Sequence, residues 1–316
     1  MQAAEQVQTL SKRVILIAGP TASGKSALAL ALAEQIGGAV INADSMQVYR
    51  ELRVITARPS DDDAGRLPHR LYGHVPAAEA YSVGRFVREA AIEIAAARSH
   101  GLVPILVGGT GLYFTALLEG LSPIPEIPEE VRRYWRNRET VDGAVALHIV
   151  LAARDPEMAN RLSANDSQRI VRALEVLDAT GRSLAEWQRT PGNPVVCQED
   201  TVRLVVMPEI ALLDQRIDSR FHAMMASGAP DEIAHLLRLG LDPALPAMRA
   251  LGVRPLAQML AGSLSRDAAV AKAQTETRQF TKRQRTWLRG HMVSWNWLFS
   301  HQMESQLAES MMFIDP

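Results

Sequence analysis

The stretch GPTASGKS at residues 19–26, directly after the apolar run RVILIA at 13–18, decides the fold. It matches G-x4-G-K-S at every fixed position, the pattern of a loop that turns backbone N–H groups around phosphate oxygens. Gly19 and Gly24 let the chain turn, with Pro20, Thr21, Ala22 and Ser23 between them. Lys25 adds a point charge, and the Ser26 hydroxyl is placed to ligate Mg²⁺. SALALALAEQI at 26–36 reads as a helix whose positive end faces the anion. The run before the loop, stopped by Gly-Pro, reads as a buried strand.

Further along, AVINA at 39–43 is a second strand, with Asp44 just past its end. Residues 81–97 read as a helix, and VPILV at 103–107 as a third strand followed by Gly108-Gly109-Thr110-Gly111. This alternation implies parallel β–α units with their sites at the C-terminal strand edges. The pattern changes at SPIPEIP, 122–128, whose three prolines suggest a hinge. Charged helical stretches are expected at 129–138 and 155–180, with a strand-like run at 146–152 between them. QRTPGNP at 188–194 is a second linker, and TVRLVVM at 201–207 is a strand that could rejoin the first sheet. Residues 212–290 read as mostly helical. The expected fold is α/β, a P-loop NTPase-like parallel sheet core with a mostly helical inserted domain. Its divisions are core 1–121, insert 122–197 and core 198–316, the last with a basic helix.

Composition narrows the function classes. The 316 residues are 47% hydrophobic, with 34 Lys plus Arg against 35 Asp plus Glu and a net charge of −1. That balance gives no global nucleic-acid signal, so any basic patch is local. The single Cys197 excludes an internal disulfide and a cysteine zinc cluster. The polar start, 1–12, lacks a signal-peptide core, and no apolar run reaches membrane-spanning length. A cytoplasmic monomer without membrane contact is the expectation.

The strand tips carry the candidate chemistry. The strand 103–107 ends in Gly-Gly-Thr-Gly rather than an acid, which argues against a motor ATPase or GTPase. Asp44 is then the acid at the phosphate edge, a candidate general base; its alternative role is to cap the next turn. Thr110 follows glycines that allow close backbone approach to a ligand, or it caps the helix 112–118. Arg216 and Arg220 lie four apart on a helix. One of them could reach a bound diphosphate, whose oxygens match an arginine fork, but pairing with Asp214 or Asp218 is the reading the residues alone favour. His69 and His74 have no third ligand at metal-site spacing.

Residues 272–289 hold six basic residues and one acid, Glu276. Arg278, Lys282, Arg285 and Arg289 fall on one helical stripe; Phe280, Gln284 and Trp287 fall on another, with Phe280 and Trp287 able to pack on the core. Arg132, Arg133, Arg136, Arg138, Arg169 and Arg172 make the insert locally basic. Such clusters are either a track for nucleic-acid phosphates or solvated faces.

Taken together, several segments resemble the bacterial tRNA dimethylallyltransferases. They are GPTASGKS, NADSMQVY at 42–49, TARPS at 56–60, VGGTGLY at 107–113, DSQRIVRALE at 166–175, RIDSRF at 216–221 and TRQFTKRQRTW at 277–287. The resemblance runs from about residue 13 to 297. It implies transfer of a dimethylallyl group from dimethylallyl diphosphate to N6 of adenosine 37, beside the tRNA anticodon. The P-loop would then hold the donor's diphosphate, with Mg²⁺. Asp44 matches the family's base, Thr110 joins the charge-stabilising set, and Arg220 aligns with the family's diphosphate-binding arginine. Asp44, Ser45, Met46, Gln47, Thr110, Arg132, Gln168, Arg169, Ile170, Val171 and Arg172 correspond to its tRNA-contacting positions. The stretch 277–284 does too, in line with the stripe of Arg278, Lys282 and Arg285. Two segments depart from the pattern: Val253 stands where the family usually has an aromatic, and Gly228-Ala229-Pro230 replaces G-L or G-F. Three other readings share parts of this pattern. An adenylate isopentenyltransferase would need neither the insert nor the basic helix. A small-molecule P-loop kinase would use Asp44 to activate a hydroxyl. An RNA-binding protein with a vestigial P-loop would not need Lys25, Asp44 and Thr110 intact.

Overall fold

The computed structural model describes residues 13–315; the polar start at 1–12 lies outside the described residues. The chain divides into two compact units, Glu119–Pro194 and Met1–Leu118 with Val195–Pro316.

The larger unit is built on a six-stranded sheet: β1 (Val14–Ala18), β2 (Gly38–Asn42), β3 (His69–Arg70), β4 (Val103–Gly108), β5 (Thr201–Val206) and β6 (Asn296–Leu298). Every pairing is parallel and the order is β3-β2-β4-β1-β5-β6. β1, β2 and β4 are buried along their whole length, as strands covered on both faces by helices must be. The segment 201–207 does rejoin the sheet, pairing Val14 with Thr201 through Ala18 with Val205. β3 and β6 are too short to show a period in the sequence.

One face of the sheet is covered by α1 (Lys25–Ile36), through Leu28, Leu32 and Ile36. α2 (Asp61–Arg66) buries no residue; the other face packs α3 (Val83–Ser99) and α4 (Gly111–Glu119), whose Phe86, Ile94, Phe114 and Leu117 are buried in the larger core. The chain returns from the second unit at Val195, whose N–H donates to Leu117 O at 2.8 Å. That bond sets the boundary three residues earlier than the sequence reading of 197.

The smaller unit holds α5 (Glu129–Arg154), α6 (Pro156–Arg161), α7 (Ser167–Thr180) and α8 (Leu184–Gln188). The strand expected at 146–152 is helical. Its buried residues are Leu147 and Leu151, one helical turn apart, while Ile149 between them is 66% exposed. That is a period of four, not two. α5 is interrupted at Gly143, whose φ of 79° is the left-handed conformation a glycine tolerates. The helix expected over 155–180 breaks at 162–166; Asp155 caps the start of α6 and Asp166 the start of α7, each through its side chain. Trp135, Leu147, Leu151, Ile170 and Leu174 fill this unit's own core.

After β5 the larger unit continues with α9 (Ile210–Ala226), α10 (Ala229–Arg238), a short 3-10 turn (Pro246–Arg249), α11 (Val253–Leu260), α12 (Arg266–His291) and α13 (Met303–Ile314). Among the described residues, no helix is long and apolar enough to cross a membrane.

Candidate active site at the phosphate loop

β1 and α1 hold the P-loop between them. Gly19 is dictated by β5: a Cβ there would lie 2.7 Å from Val206 O. Gly24 has φ of 95° and begins α1 with no side-chain cap. Lys25 N makes only a long 3.4 Å contact to Ser23 Oγ, and the Ser26 and Ala27 N–H groups are left for an anion. Ser23 is fully buried, and the Ser26 side chain is at the exposed mouth. Lys25 Nζ donates to Pro20 O at 3.2 Å, so its ammonium lies inside the loop's own curve.

The arginines contradict the pairing that the residues alone favoured. Arg216 Nη1 donates to Ser23 O at 3.0 Å, tethering the loop from α9. Arg220 Nη2 donates to Thr21 Oγ1 at 2.5 Å. Asp214 and Asp218 instead face Arg278 on α12. Both arginines are thus turned to the P-loop, and Arg278 is already engaged by two carboxylates.

Asp44 is held by its backbone. Buried Asn42 accepts from Asp44 N at 2.8 Å through Oδ1, and its Nδ2 donates to Asp44 O at 2.9 Å and Leu71 O at 3.0 Å. Asp44 Oδ1 accepts from Met46 N at 2.9 Å, a turn closed by the side chain. Asp44 does cap its own turn, therefore, and still has Oδ2 for chemistry. Oδ2 lies 3.5 Å from where a Cβ on Gly109 would be.

Electrostatics tie these groups together. Burial lowers the Lys25 ammonium to about 8; Asp44 opposes that shift and Arg220 adds to it. Burial likewise pulls Arg220 below its ordinary value, against the pull of Asp44. Tyr72 and Tyr113 are pushed up by burial and, secondarily, by the Asp44 charge. The site is one carboxylate facing two desolvated cations, walled by phenols that stay protonated. Burial that makes cations costly without an anion makes an incoming polyanion favourable.

Thr110 immediately precedes α4, and its hydroxyl is turned to the Asp44 loop. Its Oγ1 accepts from Ser45 N at 3.0 Å and lies 3.3 Å from Ser45 Oγ, joining the β4 tip to the Asp44 loop. The glycines around it allow close approach by the chain itself. A Cβ on Gly108 would lie 2.0 Å from Ala43 O, one on Gly109 2.5 Å from Gln284 Nε2, and one on Gly111 1.9 Å from the Trp287 ring.

The expected RNA positions are less uniform. Ser45 and Met46 follow Asp44 at the site. Gln47 spends its Nε2 on Thr56 O at 2.9 Å and Ala57 O at 3.2 Å. In the smaller unit, Gln168 and Arg169 are exposed and Arg172 lies 3.5 Å from buried Glu175. Arg132 is 3.9 Å from Glu129. Ile170 and Val171 are 0% and 8% exposed, so their side chains belong to the core and not to an RNA surface. On α12, Lys282 and Arg289 are exposed, while Arg285 is partly buried with Nε unpartnered. The buried stripe of α12 is Gln274, Thr277, Thr281, Gln284 and Leu288; Phe280 is outside it and stacks with Arg283. Val253 is 2% exposed, a core residue. Gly228, with φ of 97°, starts α10 ahead of Pro230 in the first turn. His74 bonds Glu89 at 2.8 Å and His69 bonds Leu67 O.

Sequence reasoning missed the roles of Asn42, Tyr72, Tyr113 and Gln284, and it named Arg216 without its tether to the loop. Asn42 and Gln284 could have been suspected as polar residues on otherwise buried faces.

Residues 47–291 match the family model described as IPP transferase, and residues 12–72 that described as isopentenyl transferase. The chain is 49% identical over 303 residues to a tRNA dimethylallyltransferase of Parvibaculum lavamentivorans, covering 96% of each chain. To the tRNA dimethylallyltransferase of Agrobacterium fabrum it is 52% identical over 278 residues, 88% of this chain and 93% of the other. Its fold is similar to the crystal structure of a tRNA delta(2)-isopentenylpyrophosphate transferase from Staphylococcus epidermidis. The TM-score is 0.67 at 30% identity, over 96% of this chain and 98% of that one. A eukaryotic dimethylallyltransferase acting on tRNA superposes with a TM-score of 0.74 at 29% identity, over 87% of this chain and 69% of that one. With a P-loop, an acid and an arginine gathered as described, and with relatives matched along nearly its whole length, the chain belongs to the IPP transferase family.

Proposed function

We propose that this protein transfers a dimethylallyl group from dimethylallyl diphosphate to N6 of adenosine 37 in a tRNA anticodon stem-loop, releasing diphosphate. The observation that carries the reading is the grouping of Asp44 with Lys25 and Arg220 at the mouth of the P-loop. An ATP-hydrolysing site needs no base placed for an incoming amine; a prenyl transfer to a weak nucleophile does.

In this reading the P-loop amides, Lys25 and Arg220 hold the diphosphate. They stabilise the charge that grows on it as the allylic C–O bond breaks. The new bond forms between the prenyl C1 and adenine N6, and the N6 proton passes to Asp44 Oδ2. Thr110 fixes the Asp44 loop through Ser45, so its part is in placing the base. The adenine reaches the site unstacked from the anticodon loop. Arg132, Gln168, Arg169 and Arg172, with Lys282 and Arg289, supply contacts to RNA phosphates.

Mg²⁺ fits the donor set. The Ser26 hydroxyl has no partner among the described residues, and no group of three or more His, Cys, Asp or Glu there could hold an ion alone. In the P-loop motif the Ser/Thr hydroxyl ligates Mg²⁺, and phosphate oxygens and water would complete the shell. Bound there, the ion would neutralise part of the diphosphate charge.

The test is transfer of labelled dimethylallyl to an anticodon stem-loop with adenosine at position 37, run beside free AMP. Label at N6 of that adenosine supports the reading; label in AMP alone rejects it.

A further inference from the structure

Gln284 lies on the buried face of α12, 9% exposed, within the stretch the family resemblance assigns to RNA. Its amide is engaged elsewhere. Oε1 accepts from Thr21 N at 2.9 Å, and Nε2 donates to Gly109 O at 3.0 Å. These partners fix the orientation of the amide, since one can only donate and the other only accept. One side chain thus bridges the β1 and β4 tips. On one side, Thr21 Oγ1 accepts from Arg220. On the other, Gly109 precedes Thr110, which receives Ser45 N beside Asp44. A hydrogen-bonded line runs from the diphosphate arginine, through Gln284, to the loop of the base. The backbone is shaped for it, because any side chain at Gly109 would collide with the Gln284 amide.

We propose that Gln284 is a positioning residue for the diphosphate. It acts through Thr21 on Arg220 and through Gly109 on Thr110, and it is not an RNA contact. The proposal rests on the reading of the P-loop as the donor's diphosphate site. Neither neighbour tolerates a simple replacement. A carboxylate would face Gly109 O, and an apolar isostere would leave Thr21 N–H and Gly109 O unpaired.

The probe is inorganic diphosphate, titrated calorimetrically into the full chain with Mg²⁺. In Gln284→Met its Kd rises about tenfold, as expected for losing a part-buried hydrogen-bonded link. The Kd for an anticodon stem-loop stays within about twofold, the size of effect expected of a site with no shared partner. Unchanged diphosphate affinity, or a loss confined to RNA affinity, overturns the proposal. Thr21→Val removes the acceptor for Arg220 and keeps the N–H. Combined with Gln284→Met it should weaken diphosphate by less than the product of the single effects; a full product overturns action through Thr21. If Gln284→Met does not fold, Thr21→Val alone carries the test, and unchanged diphosphate affinity there overturns the proposal. Wild-type protein that does not bind diphosphate overturns the P-loop reading itself, and this proposal with it.

Discussion

Asp44→Asn separates the base from the scaffold that holds it. The Asp44 backbone is clamped by Asn42 at both N–H and C=O, and its Oδ1 accepts from Met46 N at 2.9 Å. An asparagine carbonyl can accept that last bond, so the loop keeps its shape. Basicity and negative charge are what is lost. Removing a positioned general base costs about 10²–10⁴ in rate, or roughly 2.7–5.5 kcal/mol of barrier. A second effect follows from the charge. The Asp44 carboxylate holds the Lys25 proton on, against burial, at about 8. Without it the Lys25 pKa moves lower, and Lys25 becomes neutral at a lower pH. Diphosphate affinity in the variant should therefore begin to fall at a lower pH than in the wild type. Single-turnover transfer of labelled donor gives the rate, and calorimetric diphosphate titrations on both sides of pH 8 give the affinity. Turnover within about threefold of wild type, a change too small for a lost base, would remove Asp44 from the mechanism.

Wild-type diphosphate binding should weaken as pH rises through about 8, because Lys25 loses its charge there, and Lys25→Met should flatten that dependence. The same shift has a sign for stability. The unfolded chain keeps this proton up to the ordinary value of 10.5, so it binds more protons than the folded chain between about 8 and 10.5. The Lys25 contribution to stability therefore rises with pH across that window, which thermal melts of wild type against Lys25→Met will show. Arg220→Met removes a charged fork and should weaken diphosphate by about 1.5–3 kcal/mol, roughly ten- to hundredfold. Gly111→Ala places a Cβ 1.9 Å from the Trp287 ring. It should lower stability by about 1–3 kcal/mol in denaturant unfolding, and a fully neutral effect would contradict the close seating of this loop on α12.

Much of this was legible because the signals were local. The P-loop is a contiguous motif between a strand and a helix. The run at 201–207 read as a strand because its β-branched residues suit a covered sheet. The errors have physical causes. Leu147 and Leu151 are separated by a turn, but the apolar residues between them hid that period. The intrahelix pairing of Arg216 and Arg220 was a sound local guess, overruled when α12 brought Arg278 to Asp214 and Asp218. The glycines at 108 and 109 read as room for a ligand, and the neighbours that their missing side chains admit are Ala43 and Gln284. Ile170 and Val171 were carried over with a motif whose buried positions serve packing. Partners distant in the chain decided each of these, and a single sequence does not display them.

The central claim is that the P-loop grips a leaving group while the nucleophile arrives on an RNA. Phosphorus-31 NMR of the reaction products tests it most directly, with purified protein, dimethylallyl diphosphate, Mg²⁺ and an anticodon stem-loop, and no ATP. One inorganic diphosphate for each N6-dimethylallyladenosine formed, with no orthophosphate, is the predicted result. Orthophosphate as the product, or a reaction that proceeds only with ATP, would contradict it.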